Sequence, residues 1–271
     1  MNARTLSPLE SKLVMELEWE ERRLLTLQDV MDILHCSYPH ARKIAHNLEK
    51  KRWLSRIEPG KYQFIPASRG QEAVPDMNPL LAGSVLVEPY YYAYSTANHH
   101  YGFTAQVPAT VYLATMRNKR PTEIRGITYR FVSLKPAKFF GYHRVRVYTA
   151  EVYMAEPEKA VVDSLDKMHY AGGIVEVAGV VHAARNKVKW EKVVEYALRM
   201  ETQALVQRLG YLLDEMRIFP NEHLRDRLLS GVGKSKVYLG PPGTWGTGGD
   251  YDPVWQIVMN VSRQHLLSEV T

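Results

Sequence analysis

The sequence predicts an α+β protein in which an N-terminal winged helix-turn-helix precedes a larger mixed α/β domain with a small sheet and a helical C-terminal part. Three observations lead there. The first seventy residues place three helix signals before a hairpin pattern, residues 110–148 hold three short strand-like runs, and helical periodicity dominates from Pro157 to about Leu229. The chain has 271 residues, 45% of them hydrophobic and 24% charged, a globular composition with length for two domains. The expected division is a winged helix over 1–68, a linker over 69–79 and a second domain over 80–271.

The first helix starts at Ser7-Pro8-Leu9-Glu10. Ser7 caps, Pro8 tolerates the first helical position, and Glu10 completes a capping box. Leu9, Leu13, Val14 and Leu17 carry the apolar side to about Glu21. Thr26 starts a second helix with Asp29 three residues on, and Leu27, Val30, Met31 and Leu34 face inward. His35-Cys36-Ser37 is a break. Ser37 then caps a third helix in which Ala41, Ile44, Ala45 and Leu48 are the inner face.

The outer face of the third helix carries Tyr38, His40, Arg42, Lys43, His46, Asn47 and Lys50, none of them acidic. A short helix, a three-residue turn and a basic helix follow the order in which the later helix enters the DNA major groove. Base edges there need donors and acceptors such as Arg, Asn and His. Arg52–Ile57 and Tyr62–Ile65, joined by Glu58-Pro59-Gly60-Lys61, form the wing, with Arg56 and Lys61 near its tip as phosphate contacts. Ser37, Tyr38, His40, Arg42, Lys43, His46, Asn47 and Lys50, with Arg56 and Lys61, are thus the candidate DNA-binding residues. A protein-binding winged helix is the competing explanation.

Beyond the Pro-rich linker, Tyr90, Tyr91, Tyr92 and Tyr94 read as packing residues, and Ser95 as the cap of a helix ending at Gly102. Strands are expected at Thr110–Ala114, Thr128–Val132 and Arg144–Tyr148. The net charge of +6 is uneven: residues 117–146 hold nine basic residues and one acid, Glu123. Seven of the nine, Arg117, Lys119, Arg120, Arg125, Arg130, Lys135 and Lys138, are the candidate basic tract, either a cationic sheet face or a charge-defended sheet edge. The tail from Val237 is expected to form a hairpin, Val237–Leu239 with Trp255–Val261.

No catalytic or metal-binding constellation emerges. Gly231-Val232-Gly233-Lys234-Ser235 lacks the earlier glycine of a phosphate loop, because Leu228 stands there. Asp250-Tyr251-Asp252 reads as a turn. Cys36, His40 and His46 fall on different faces, and His99-His100 diverge. No cofactor is expected. The single cysteine, Cys36, admits no internal disulfide and suggests a reducing, cytoplasmic setting. MNARTLSPLE shows no secretory signal, and no apolar run approaches the roughly 20 residues of a membrane span, so no membrane association is expected.

Six segments together resemble the AbiEi antitoxin family of abortive-infection type IV toxin–antitoxin systems. They are Ser95–Thr104 (STANHHYGFT), Pro108–Thr115 (PATVYLAT), Phe139-Phe140-Gly141, Glu156–Asp163 (EPEKAVVD), Tyr170–Ile174 (YAGGI) and Arg208–Leu213 (RLGYLL). Each is short; their joint order is the specific feature, and with the N-terminal winged helix the likeness covers nearly the whole chain. The family usually has aspartate where this chain has Glu156. The resemblance implies a bifunctional protein with two partners. Its winged helix would bind double-stranded DNA at operator inverted repeats and repress its own operon. Its larger domain would counteract a cognate toxin of nucleotidyltransferase type without needing a stable complex. The rival readings are a stand-alone regulator whose larger domain senses a ligand or dimerises, and a nucleic-acid-modifying enzyme.

Overall fold

The computed structural model describes residues 4–70, 75, 78–148 and 150–270, so most of the expected linker lies outside the described residues. The chain is α+β, and the described residues form no closed barrel. It divides into two compact units. One comprises Met1–Glu88, Glu123–Ile127 and Arg144–Val152; the other comprises Pro89–Thr122, Thr128–His143 and Tyr153–Thr271. The first therefore reaches beyond the 1–68 expected from sequence.

In the first unit, α1 (Pro8–Trp19), β1 (Leu24–Thr26), α2 (Leu27–Leu34) and α3 (Tyr38–Lys50) precede the hairpin β2 (Leu54–Glu58) and β3 (Lys61–Phe64). The sheet order β1-β3-β2 is antiparallel throughout, which is the winged-helix arrangement. Strand β1 carries no alternating signal in its three residues, and the sequence reading omits it. The Thr26–Asp29 box forms as expected: the Asp29 carboxylate accepts from the Thr26 N–H at 2.6 Å, and the Asp29 N–H donates to Thr26 Oγ1 at 3.2 Å. His35 ends α2 in the left-handed conformation, producing the break. Leu13, Leu17, Val30, Ile44, Leu48, Leu54 and Phe64 fill the core. Pro79–Ser84 forms a further helix, α4.

Glu10 is 2% exposed, yet it accepts from the Ser7 N–H at 2.7 Å and from Lys51 Nζ at 2.6 Å. Burial pushes its pKa up, but the hydrogen bonds from Lys51 and Ser7 outweigh burial and hold it below the usual carboxylate value. A lowered folded-state pKa gives stability that is present above the unfolded-state pKa and lost as pH falls through the lowered value. Glu10→Gln is therefore expected to flatten the acid limb of a pH–stability curve measured by urea denaturation. An acid limb identical to wild type would contradict this role.

The second part of the chain holds a six-stranded mixed sheet, in the order β6-β7-β5-β4-β9-β8. Its strands are β4 (Tyr90–Tyr92), β5 (Thr110–Thr115), β6 (Thr122–Ile124), β7 (Ile127–Ser133), β8 (Tyr142–Val147) and β9 (Ala150–Ala155). The three expected strands are β5, β7 and β8, with ends displaced by one or two residues. Strand β4 is central and buried on both faces, which accounts for three consecutive tyrosines. Helix α5 (Tyr94–His100) begins one residue before the expected Ser95 cap; Ala93 holds the cap position, and no side chain makes the cap bond.

Helices α6 (Pro157–Asp166), α7 (Ile174–Ala184), α8 (Trp190–Arg199), α9 (Gln203–Glu215) and α10 (Glu222–Leu229) follow, as the periodicity predicts. The tail departs from expectation. Strand β10 (Val237–Tyr238) runs parallel to β12 (Ile257–Met259), whose antiparallel partner is β11 (Asp250–Asp252). Two strands joined by a hairpin turn must be antiparallel, so the parallel pairing rules out a simple Val237–Val261 hairpin. Short helices α11 (Pro242–Trp245) and α12 (Arg263–Leu266) complete the chain. The tail is pinned by Trp255, whose indole N–H donates to Asp214 at 2.7 Å while its ring lies over Gly210 of α9. A Cβ at Gly210 would come within 2.0 Å of that ring, so only glycine fits beneath it.

Candidate nucleic-acid interface

Spacing on α3 turns the expected recognition face outward. Ala41, Ile44, Ala45 and Leu48 seat the helix on the core, while Ser37, Tyr38, His40, Arg42, Lys43, His46 and Lys50 are exposed and Asn47 is half-buried. Ser37 occupies the cap position, but its hydroxyl makes no cap bond. Arg56 on β2 is exposed as well, so the α3 face and the wing wall border a common cleft of about 700 Å³. Tyr38, Arg42, Lys43, His46 and Arg56 line it. Among the described residues, the side chains of Arg42, Lys43 and Arg56 enter no ion pair.

Two lining residues escaped the sequence reading. Glu49 lies three residues after His46 and seven after Arg42, so helical spacing alone puts it on the same wall. Tyr62 forms part of the floor, and burial, followed by the Glu49 charge, raises its phenol pKa. A carboxylate in a cationic cleft repels phosphate locally and can accept from a cytosine amine.

Lys61 does not project from the wing tip. Its ammonium donates to the carbonyls of Val85 and Leu86 and pairs with Glu58 at 3.4 Å, so its donors are committed inside the first unit. The assignment of Lys61 as a phosphate contact is corrected accordingly.

The basic tract is likewise divided. Arg117, Arg120, Arg130 and Lys135 are exposed. Lys119 sits over the Phe131 ring at 5.1 Å. Arg125, in the Glu123–Ile127 segment of the first unit, donates to Gln63 Oε1 at 2.8 Å and to Ser55 Oγ. Lys138 pairs with Asp166 at 2.9 Å and donates to Thr202 Oγ1 at 2.7 Å. Arg125 and Lys138 thus serve internal structure, and no continuous seven-residue cationic surface exists.

The segments carrying the family resemblance form buried chemistry that local pattern does not disclose. Lys159 and Asp163 are 0% and 1% exposed and pair across one turn of α6. Tyr91 Oη donates to Asp163 at 3.1 Å and accepts from Lys159 at 3.1 Å. Burial, then the Asp163 charge, drives the Tyr91 phenol well above its ordinary pKa. Gly141 has φ +69°, and a Cβ there would lie 3.2 Å from Lys159 and 2.9 Å from the Tyr196 ring. Asn98 Nδ2 donates to Ser164 Oγ at 2.9 Å. Asp250-Tyr251-Asp252 is strand β11 rather than a turn, and Asp252 accepts from the Trp255 N–H at 2.7 Å. Among the described residues, no three His, Cys, Asp or Glu side chains converge as a metal-binding set, and no helix is long and apolar enough to cross a membrane.

No family model and no curated protein matches the chain. The fold is similar to the crystal structure of the RV2827C protein from Mycobacterium tuberculosis, with a TM-score of 0.64 over 94% of this chain and 92% of that chain. At 15% identity this likeness shows the fold alone.

Proposed function

We propose that the chain is a DNA-binding transcriptional repressor of its own operon and an antitoxin against a nucleotidyltransferase-type toxin. The observation that carries the DNA half is the outward face of α3, where Arg42 and Lys43 stand beside Arg56 of the wing without ion-pair partners among the described residues. Unpaired cations on the outward face of a helix are what phosphate and base edges require. Double-stranded operator DNA with inverted repeats is the partner in this reading. Tyr38, His40, His46, Asn47 and Lys50 would supply further contacts.

The antitoxin half rests on the six resembling segments, which the fold gathers in one unit, and on the exposed cations Arg117, Arg120, Arg130 and Lys135. The reading requires no turnover by this chain and no cofactor. Co-expression of the full chain with the product of the neighbouring gene tests it. Growth restored by the wild type, and equally by the Arg42→Ala/Lys43→Ala variant, is the expected result, because antagonism and DNA binding lie in different units. Growth arrest that the chain fails to relieve would remove the antitoxin assignment.

A further inference from the structure

We infer a nucleotide-binding pocket in the second unit, formed where three of the resembling segments meet. The inference goes beyond the DNA and antitoxin readings and requires neither. A cleft of about 370 Å³, within the size range of small-molecule sites, lies between α5, the loop before β5, and the Tyr170–Glu176 segment.

One wall is apolar and aromatic. Tyr112 and Tyr170 line it with ring centroids 5.3 Å apart, held from beneath by the fully buried Tyr94, and Pro108 forms the lip. Both lining tyrosines are partly exposed, and Tyr170 also packs on His169 with ring centroids 3.8 Å apart, so a flat heterocycle would stack on the ring surface these contacts leave open.

The lining also carries Glu176. Gln106 Nε2 donates to Glu176 Oε2 at 3.1 Å, which fixes the carboxylate at the cleft, and a carboxylate can accept several donors. The approach is built in. Gly172 has φ +89°, and a Cβ there would lie 2.8 Å from the Glu176 side chain, so only glycine lets the acid sit against this turn.

One cation stands next to the lining without being part of it. Parallel pairing sets Arg130 of β7 beside Tyr112 of β5, on the same sheet face. His169 lines the cleft, and burial first, then the charges of Lys167 and Arg130, lowers its pKa and keeps its ring neutral, so Arg130 is the cation within reach. An aromatic platform, a carboxylate and a guanidinium together match a base with adjacent N–H donors and an attached phosphate. Guanine is the best fit, because its N1–H and N2–H can donate as a pair to one carboxylate. The ligand is a guanine nucleotide, either free or as the terminal residue of a single strand.

Titration of the full chain with guanosine 5′-monophosphate, followed by isothermal calorimetry, tests this. Saturable binding that weakens about tenfold or more for cytidine or uridine 5′-monophosphate is expected. Arg130→Gln, an exposed substitution, is expected to weaken the monophosphate about tenfold while leaving guanosine itself unchanged. Glu176→Gln is expected to abolish the preference for guanine. A general structural role for either residue would not separate phosphate from base in this way. A parallel titration with a short single-stranded oligonucleotide ending in guanosine distinguishes the free nucleotide from a strand end by which binds tighter. Absence of saturable binding to either probe by the folded wild type overturns the inference, as does undiminished nucleotide affinity in a folded Arg130→Gln/Glu176→Gln double variant.

Discussion

Replacing Arg42 and Lys43 together by alanine is expected to weaken operator binding about a hundredfold, or roughly 3 kcal/mol, from two contacts of about 1–2 kcal/mol each. Both side chains are exposed on α3, and alanine is a stronger helix former than either, so the fold is expected to survive. Fluorescence anisotropy against DNA from upstream of the chain's own operon gives the affinity, and a salt series separates the kinds of interaction. Removing one cation that touches phosphate reduces the slope of log affinity against log salt by about one, uniformly across sequences. Removing a side chain that reads a base edge instead relaxes the discrimination between operator and scrambled DNA. A slope lowered by about two with discrimination intact assigns both residues to phosphate. Unchanged affinity would remove α3 as the recognition helix, whatever the wing does. Lys61→Ala serves as the internal comparison: with its ammonium committed to Val85 and Leu86, its removal is expected to leave the slope unaltered.

That contrast between Arg42 and Lys61 shows how far the sequence was legible. Arg42 lies on a helix, where a period of 3.6 residues decides which side chains face inward, so its exposure follows from its neighbours Ala41, Ile44 and Ala45. Lys61 lies at a wing tip, where nothing local reveals that two main-chain carbonyls 24 and 25 residues later will claim it. Lys138 repeats the case, because its partner Asp166 is 28 residues away. Charge counted along the chain therefore overstates free charge wherever a fold brings distant acceptors together. Direction of pairing has the same limit. Tail strands β10 and β12 were visible from their composition, but β11 reads as a turn, and the parallel alignment of β10 with β12 has no local signal. The Lys159–Asp163 pair and Gly141 were not legible as a site at all, because the groups that complete it, Tyr91 and Tyr196, come from distant parts of the chain.

Removing one member of the Lys159–Asp163 pair is expected to produce the largest loss of stability in the chain, about 3–5 kcal/mol. The cost arises because the remaining charge stays buried, with Tyr91 as its nearest polar partner. Asp163→Leu leaves an ammonium at a site with no solvent exposure, flanked by the Phe140 ring at 4.9 Å and the Tyr91 ring at 5.5 Å. Lys159→Met leaves the carboxylate, and here pH reports the mechanism. Burial already raises the Asp163 pKa in the intact pair, despite the Lys159 charge that lowers it. Without Lys159 the folded-state pKa rises further. A folded-state pKa above the unfolded-state value contributes stability that is kept below the unfolded-state pKa and lost as pH climbs through the folded-state one. Lys159→Met is therefore expected to approach wild-type stability near about pH 4 and to fall behind it steadily toward about pH 8. The Lys159→Met/Asp163→Leu double variant is expected to recover most of the loss, because no unpaired charge remains to be buried. Urea denaturation of the four proteins across that pH range closes the cycle. Single variants that lose less than about 1 kcal/mol, the range of an exposed pair, would show that water reaches the pair in solution. Additive losses in the double variant would show that the two charges act independently of one another.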